Sequence, residues 1–292
     1  MKAWAQVDEA RITAVCDADP ERRAEAAQRT GAAPCADFEA LADAGIDIAD
    51  ILLPTWLHAE YAVRALERGM HVLLEKPLSL DRADVRRVYD AAARNDRRVM
   101  VAQVVRFWPE YMALRDAVRD GRYGRLLSGH MIRLGSMPGT DRKWMREARH
   151  SGLVPYDLHI HDLDFIVSVF GAPSGGVTRR ARNDRQDYFQ VIYQFPDFFI
   201  TTEAAWFDCK YPFRCGFRFQ FERAVMEYRD GALTTYLQNG GTEARAAGES
   251  AAAAYLNEVR YFTQCVLSGR DCDLVRPEEL ETVLKLLEAL KD

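Results

Sequence analysis

Three near-continuous apolar runs in the first hundred or so residues limit the fold more than any other feature. They are "IADILLPT", apolar from Ile48 to Leu53, "HVLLE" from His71, and "VMVAQVV" from Val99. A strand that is apolar on both sides of its pleat needs cover on both faces. The stretches between the runs read as helices. "PERRAEAAQRTG" opens with a proline suited to a first helical turn and closes on Gly31. Ala59, Ala62, Val63 and Leu66 then share one helical face before Gly69 ends the segment. Asp81 is placed to cap a further helix reaching Asn95. A short β-rich run, "ARITAVCDAD", precedes them all. Strand alternating with helix predicts a parallel sheet covered on both faces. Such sheets bind ligands at the carboxyl ends of their strands, where Asp17, Thr55, Glu75, Lys76 and Gln103 stand.

After about residue 104 the pattern changes. "PEYMALRDAVRDG" reads as a helix, and "RLLSGHMIRLG", "YFQVIYQF", "FFITTEAAW", "CGFRFQFE" and "AVMEYR" read as mostly alternating strands. "FPDFF" and "RDGAL" supply hairpin turns. Two helices close the chain, from Tyr255 to Ser268 and from Glu278 to Leu290. Residues Gly240 to Ala253 read as a loop or helix lead-in. The expected division is therefore a Rossmann-like domain over 1–104 and an α+β domain with a largely antiparallel sheet over 105–292.

A length of 292 residues suits two domains. The net charge of −5 leaves no electrostatic footprint for nucleic acid. No run of 18 apolar residues is present, and "MKAWAQVDEARITAVCD" lacks a signal-peptide layout. Six cysteines without a CxxC pair read as reduced thiols, so the expected setting is cytoplasmic.

Chemistry concentrates in "GLVPYDLHIHDLDFIVSVFG", residues 152–171. A helix from about Tyr156 puts Asp157 and His161 at i and i+4 on one face. A carboxylate beside an imidazole orients it and holds its proton, the layout of an acid–base residue with its support. The same spacing also suits a purely structural pair. His159 and His161 raise a metal pair as an alternative, although i and i+2 point to different faces.

The order of these features resembles the Gfo/Idh/MocA oxidoreductases. "EKP" at Glu75, Lys76 and Pro77 looks like that family's hallmark, and "PTWLHAEYAVRALERGMHVLLEKPLS" matches the approach to it. "VVRFWPEY", "KWM" with Trp144, Asp157-x-x-x-His161 and the closing "FTQCVLSGRDCDLVRPEELETVLKLLEAL" follow in similar order. The resemblance implies an NAD(P)-dependent dehydrogenase acting on a sugar, cyclitol or related polyol. It implies Lys76 near the nicotinamide and the substrate hydroxyl, His161 as proton carrier, and Asp157 orienting it. Thr55, His58, Glu75 and Arg106 would lie beside the cofactor, and Trp144 and Tyr156 against the sugar. A solvated lysine titrates near 10.4, so Lys76 suits a fixed charge and donor. Asp17 would hold the adenosine ribose and repel a 2′-phosphate, favouring NAD over NADP, with Arg22 and Arg23 weighing the other way. A homodimer or homotetramer packed through the sheet is implied.

The chain departs from the family's pattern in one respect: no G-x-G-x-x-G occurs, and "MKAWAQVDEA" reads as the later part of the helix that would follow that loop. The expectation is a longer chain, with roughly 15–25 residues upstream supplying a central strand and the loop. As it stands, the chain is expected to leave a vacant slot beside the strand containing Val15 and to bind dinucleotide poorly. Two alternatives remain at this point. One is a cofactor-free partner subunit; the other is a metal-dependent hydrolase or lyase using His159 and His161.

Overall fold

The computed structural model describes residues 1–245 and 250–290. The chain forms two units. The first comprises residues 1–79, 83–102 and 252–275, the second 80–82, 103–251 and 276–292. The segment Ala252–Val275, expected with the second domain, groups with the first unit.

The first unit alternates as the apolar runs predict: β1 (Ala14–Cys16), α1 (Pro20–Thr30), β2 (Ala33–Cys35), α2 (Phe38–Asp43), β3 (Ile48–Ile51), α3 (His58–Glu67), β4 (His71–Leu74), α4 (Ala83–Arg94) and β5 (Val99–Val101). Pro20 starts α1, Asp19 caps it through the Glu21 and Arg22 amides, and Gly31 ends it at φ 71°. All strand pairs are parallel, but they form two separate ladders, β1–β2 and β3–β4–β5. Among the described residues, β1, which carries Val15, pairs with β2 alone. Residues 4–6 form a single 3-10 turn instead of the helix end expected there. The short strand β2 and helix α2 went unread because neither carries a periodic apolar run.

The second unit contains α5 (Pro109–Asp120), β6 (Leu126–Ser136), the short α6 (Ala148–Ser151), a π-helical turn over Pro155–His159 and α7 (Ile160–Phe170). Strands β7 (Gly175–Arg182), β8 (Asp187–Gln194), β9 (Phe199–Phe207), β10 (Arg214–Phe221), β11 (Ala224–Arg229), β12 (Ala232–Leu237) and β13 (Thr242–Arg245) follow. The chain then passes through α8 (Ser250–Ser268) of the first unit and returns as α9 (Pro277–Glu288). The sheet runs β13-β12-β11-β10-β6-β9-β8-β7 and is antiparallel except where β6 meets β9. Burial alternates along β8, the mark of a sheet with one covered face. Asp230 and Gly231 turn β11 into β12 with φ of 51° and 82°, as the Asp-Gly pair predicts. Of the stretch Gly240 to Ala253, read as a loop or helix lead-in, β13 takes up the first part and the start of α8 the last; residues 246–249 lie outside the described residues. Edge strand β7 was missed because it is arginine-rich and mostly exposed, as edges that resist further pairing are.

On the covered face, Tyr111 of α5 packs edge-on against Phe165 of α7 at 5.2 Å and Phe217 of β10 at 5.1 Å. No helix among the described residues is long and apolar enough to cross a membrane.

Candidate active site

In the first unit the carboxyl ends of the strands carry the predicted polar groups. Asp17 follows β1 and is half-buried; its Oδ1 accepts the Asp19 amide at 2.8 Å. No hydrogen-bond partner is present for Oδ2 among the described residues. The two arginines that weighed toward a phosphate have other engagements. Arg23 donates from Nη1 to the Asp17 carbonyl at 2.6 Å, and Arg22 Nε lies 3.6 Å from Asp19.

At the end of β4, the Glu75 amide still donates to Ile51 O at 3.0 Å, so the strand holds its register up to the motif. The Glu75 carboxylate accepts the Lys76 amide. Lys76 is half-buried, and the Lys76–Pro77 bond is cis. Thr55 is buried at the entry to α3. His58, expected beside the cofactor, is instead 1% exposed and engages two carbonyls, Pro77 O through Nδ1 at 2.7 Å and Leu53 O through Nε2 at 2.6 Å. With both ring nitrogens taken, it has none left for a ligand. Burial is the largest influence on its pKa and lowers it; Lys76 adds to that, and the two carbonyls oppose it.

In the second unit Asp157 and His161 are both half-buried and lie around the junction between the π-helical turn and α7. The expected regular helix from Tyr156 is thus a wider turn first. Single π turns of this kind recur at functional sites. Gly152 precedes it at φ 71°, and a Cβ there would come within 2.3 Å of the Tyr156 ring. That close approach belongs to a packed core. Tyr156 is 0% exposed and corrects the expectation that it lines a sugar site. Trp144 is half-buried in the turn over Thr140–Arg146.

His159 is turned away from the metal role considered for it. It is fully buried, stacked on Tyr193 at 5.8 Å and edge-on to Phe189 at 4.7 Å, with Nε2 2.6 Å from the Tyr193 hydroxyl. Burial, helped by Arg133, pushes its pKa down to about 3. No group of three or more metal-ligating side chains is assembled among the described residues.

Two buried ion pairs fix α7, and sequence reading found neither as such. Asp162 accepts from Arg133 of β6 at 2.8 Å, and that guanidinium also reaches the Tyr111 hydroxyl at 3.3 Å. Asp164 is held bidentately by Arg106, at 2.7 and 2.6 Å, and Arg106 also binds Glu279 of α9. Arg106, expected at the cofactor, is therefore a core cation 6% exposed, and its carboxylate neighbours raise its pKa further. One signal was available: two acids, two residues apart, in the otherwise apolar "IHDLDFIVSVF" cannot be buried without cationic partners.

The fold and these groups define a two-unit protein whose first unit is Rossmann-like and whose second places Asp157 and His161 around a helix start. The model of the "Oxidoreductase family, NAD-binding Rossmann fold" matches residues 1–103, and that of the "GFO/IDH/MocA C-terminal domain" matches residues 111–236. The chain belongs to the Gfo/Idh/MocA family. It is 34% identical over 179 residues to inositol 2-dehydrogenase of Rhizobium meliloti, covering 59% of this chain and 51% of that protein. It is 35% identical over 116 residues to levoglucosan dehydrogenase of Pseudarthrobacter phenanthrenivorans, covering 39% and 30%. The chain thus spans about half, or less, of the length of the curated relatives it matches. A solved levoglucosan dehydrogenase in complex with NADH and levoglucosan superposes with a TM-score of 0.86 over 99% of this chain and 91% of that one. At 20% identity this likeness shows the shared fold.

Proposed function

We propose that the protein is an NAD-dependent dehydrogenase that transfers a hydride between the cofactor and a CH–OH group of a sugar, cyclitol or related polyol. The observation that carries the reading is Glu75-Lys76-Pro77 at the carboxyl end of buried strand β4, in a unit that matches the NAD-binding family over residues 1–103. Relatives named as inositol and levoglucosan dehydrogenases support the substrate class.

Oxidising an alcohol removes a hydride and a proton; NAD, when bound, supplies the hydride acceptor. The chain's own groups handle the rest. The Lys76 ammonium donates to the substrate oxygen and stabilises the charge that grows there. His161 takes the hydroxyl proton, and Asp157 is the carboxylate assigned to orient its ring. Asp17 holds the ribose hydroxyls, with Thr55 and Glu75 beside the cofactor. Trp144 offers a ring face to the sugar. No residues are assigned to the pyrophosphate, because no G-x-G-x-x-G is present.

We further infer a homodimer or homotetramer built on the exposed sheet face, where Phe199 and Ile192 are 46% and 38% exposed. All six cysteines are free, which suits a reducing, cytoplasmic setting.

Lys76→Ala and His161→Ala are each expected to lower kcat by about 10²-fold or more while folding is retained. Near-parental turnover in both variants overturns the catalytic assignment. Calorimetric titration with NAD and NADP tests the cofactor part: tighter binding of NAD supports the reading, and tighter binding of NADP overturns the cofactor preference.

A further inference from the structure

The buried His58 imidazole links two loops at the carboxyl ends of adjacent strands. Nε2 faces the Leu53 carbonyl, in the loop that leads from β3 to Thr55 and the exposed Trp56. Nδ1 faces the carbonyl of Pro77, the residue directly after Lys76. Both contacts, at 2.6 and 2.7 Å, are within hydrogen-bond range. A carbonyl oxygen only accepts, and a neutral imidazole has one N–H. Two carbonyls at those distances are satisfied together only by a ring that carries both protons; with one proton, a ring lone pair faces a carbonyl lone pair.

We propose that His58 is a positioning residue, a doubly donating imidazolium clamp that ties the Leu53–Trp56 loop to the Lys76–Pro77 turn and so fixes where Lys76 is presented. This rests on the dehydrogenase reading for its catalytic consequence and on the ring geometry alone for the clamp itself. Loss of the second proton gives up one carbonyl and slackens the link between the loops. Burial is the largest influence on the ring and opposes its second proton, the two carbonyls favour it, and of the charged groups around the ring Lys76 opposes it. The loop after β3 brings only Leu52, Leu53, Pro54, Thr55 and Trp56, none of them charged, and Glu60 of α3 is exposed. The clamp therefore holds on the acid side and releases as pH rises.

The test has two arms. In ¹⁵N-histidine NMR of the intact protein at about pH 5, one ring is expected to show both nitrogens protonated. That signal should lose one proton as the pH is raised and be missing in His58→Gln. This arm needs no turnover, so it stands or falls apart from the dehydrogenase reading. A His58 ring with a single proton throughout overturns the clamp. In the second arm, with a turnover substrate in hand, His58→Gln is expected to lower kcat about 10-fold, to move substrate KM less than about 3-fold, and to abolish the alkaline fall of kcat. His58→Phe, which fills the space without a donor, is expected to fall further, with Gln as the partial rescue. Equal kcat and an unchanged pH profile in a folded His58→Gln overturn the positioning role.

Discussion

The two ladders of the first unit are built from similar segments and end in opposite environments. In β4 and β5, Val72, Leu74, Met100 and Val101 are all at 0% exposure. In β1, "AVC" has no buried residue, and in β2 only Cys35 is buried. The difference lies in what covers them. Helix α3 buries His58, Ala59, Ala62, Ala65 and Leu66, and α4 buries Val85, Val88, Ala91 and Ala92. Helix α1, "PERRAEAAQRT", has only alanines among its charges and buries nothing. An apolar strand becomes dry only when its helices bring enough apolar surface to it. Consequently the charged motif at the end of β4 rests on a rigid base, while Asp17 stands at the end of a thinly covered one.

The contrast is open to direct attack. The largest effect is expected in hydrogen exchange. The amides of Val72, Glu75 and Ala102 bond to carbonyls at 2.8–3.0 Å, and the amide of Ala33 bonds to Thr13 O at 2.9 Å. With bond lengths alike, exchange reports opening of the surrounding structure. The first three should exchange about 10³-fold more slowly than Ala33. Equal rates would break the comparison.

Mutation should follow. Leu74→Ala removes a fully buried side chain from β4 and is expected to cost about 2–5 kcal/mol in denaturant unfolding. Val15→Ala in half-exposed β1 should stay within about 1 kcal/mol.

Burial also sets a pH dependence in the second unit. His159 stays neutral in the folded chain down to about 3, whereas the unfolded chain takes up that proton below about 6.5. Stability should therefore fall as pH drops through 6.5 toward 3, with this residue contributing about 1.4 kcal/mol per pH unit. His159→Phe is expected to remove that share of the slope, which urea titrations at stepped pH will read.

The smallest effect belongs to the wet end of the first unit. Asp17→Ser should leave folding unchanged and narrow the preference for NAD over NADP by about 10-fold, because it removes the repulsion of a 2′-phosphate. A parent that already prefers NADP would mean that Arg22 or Arg23 leaves its present contact to bind phosphate.

Much of this was legible in the chain itself. Apolar runs without alternation marked β3, β4 and β5, Pro20 and Gly31 bounded α1, and Asp230-Gly231 fixed a hairpin. The order of Glu75-Lys76-Pro77, Trp144 and Asp157-x-x-x-His161 marked the family. These signals are local: they depend on backbone preference and on side chains a few residues apart. What only the tertiary structure decided depends on partners distant in sequence. Arg106 finds Asp164 and Glu279, 58 and 173 residues away, and so leaves the cofactor role its motif implied. Tyr156 closes over Gly152 in the core instead of facing a sugar. His58 meets Pro77 across the gap between two strands. A buried polar group must be satisfied by whichever partner the fold brings within 3 Å, and no reading of spacing along the chain supplies that distance.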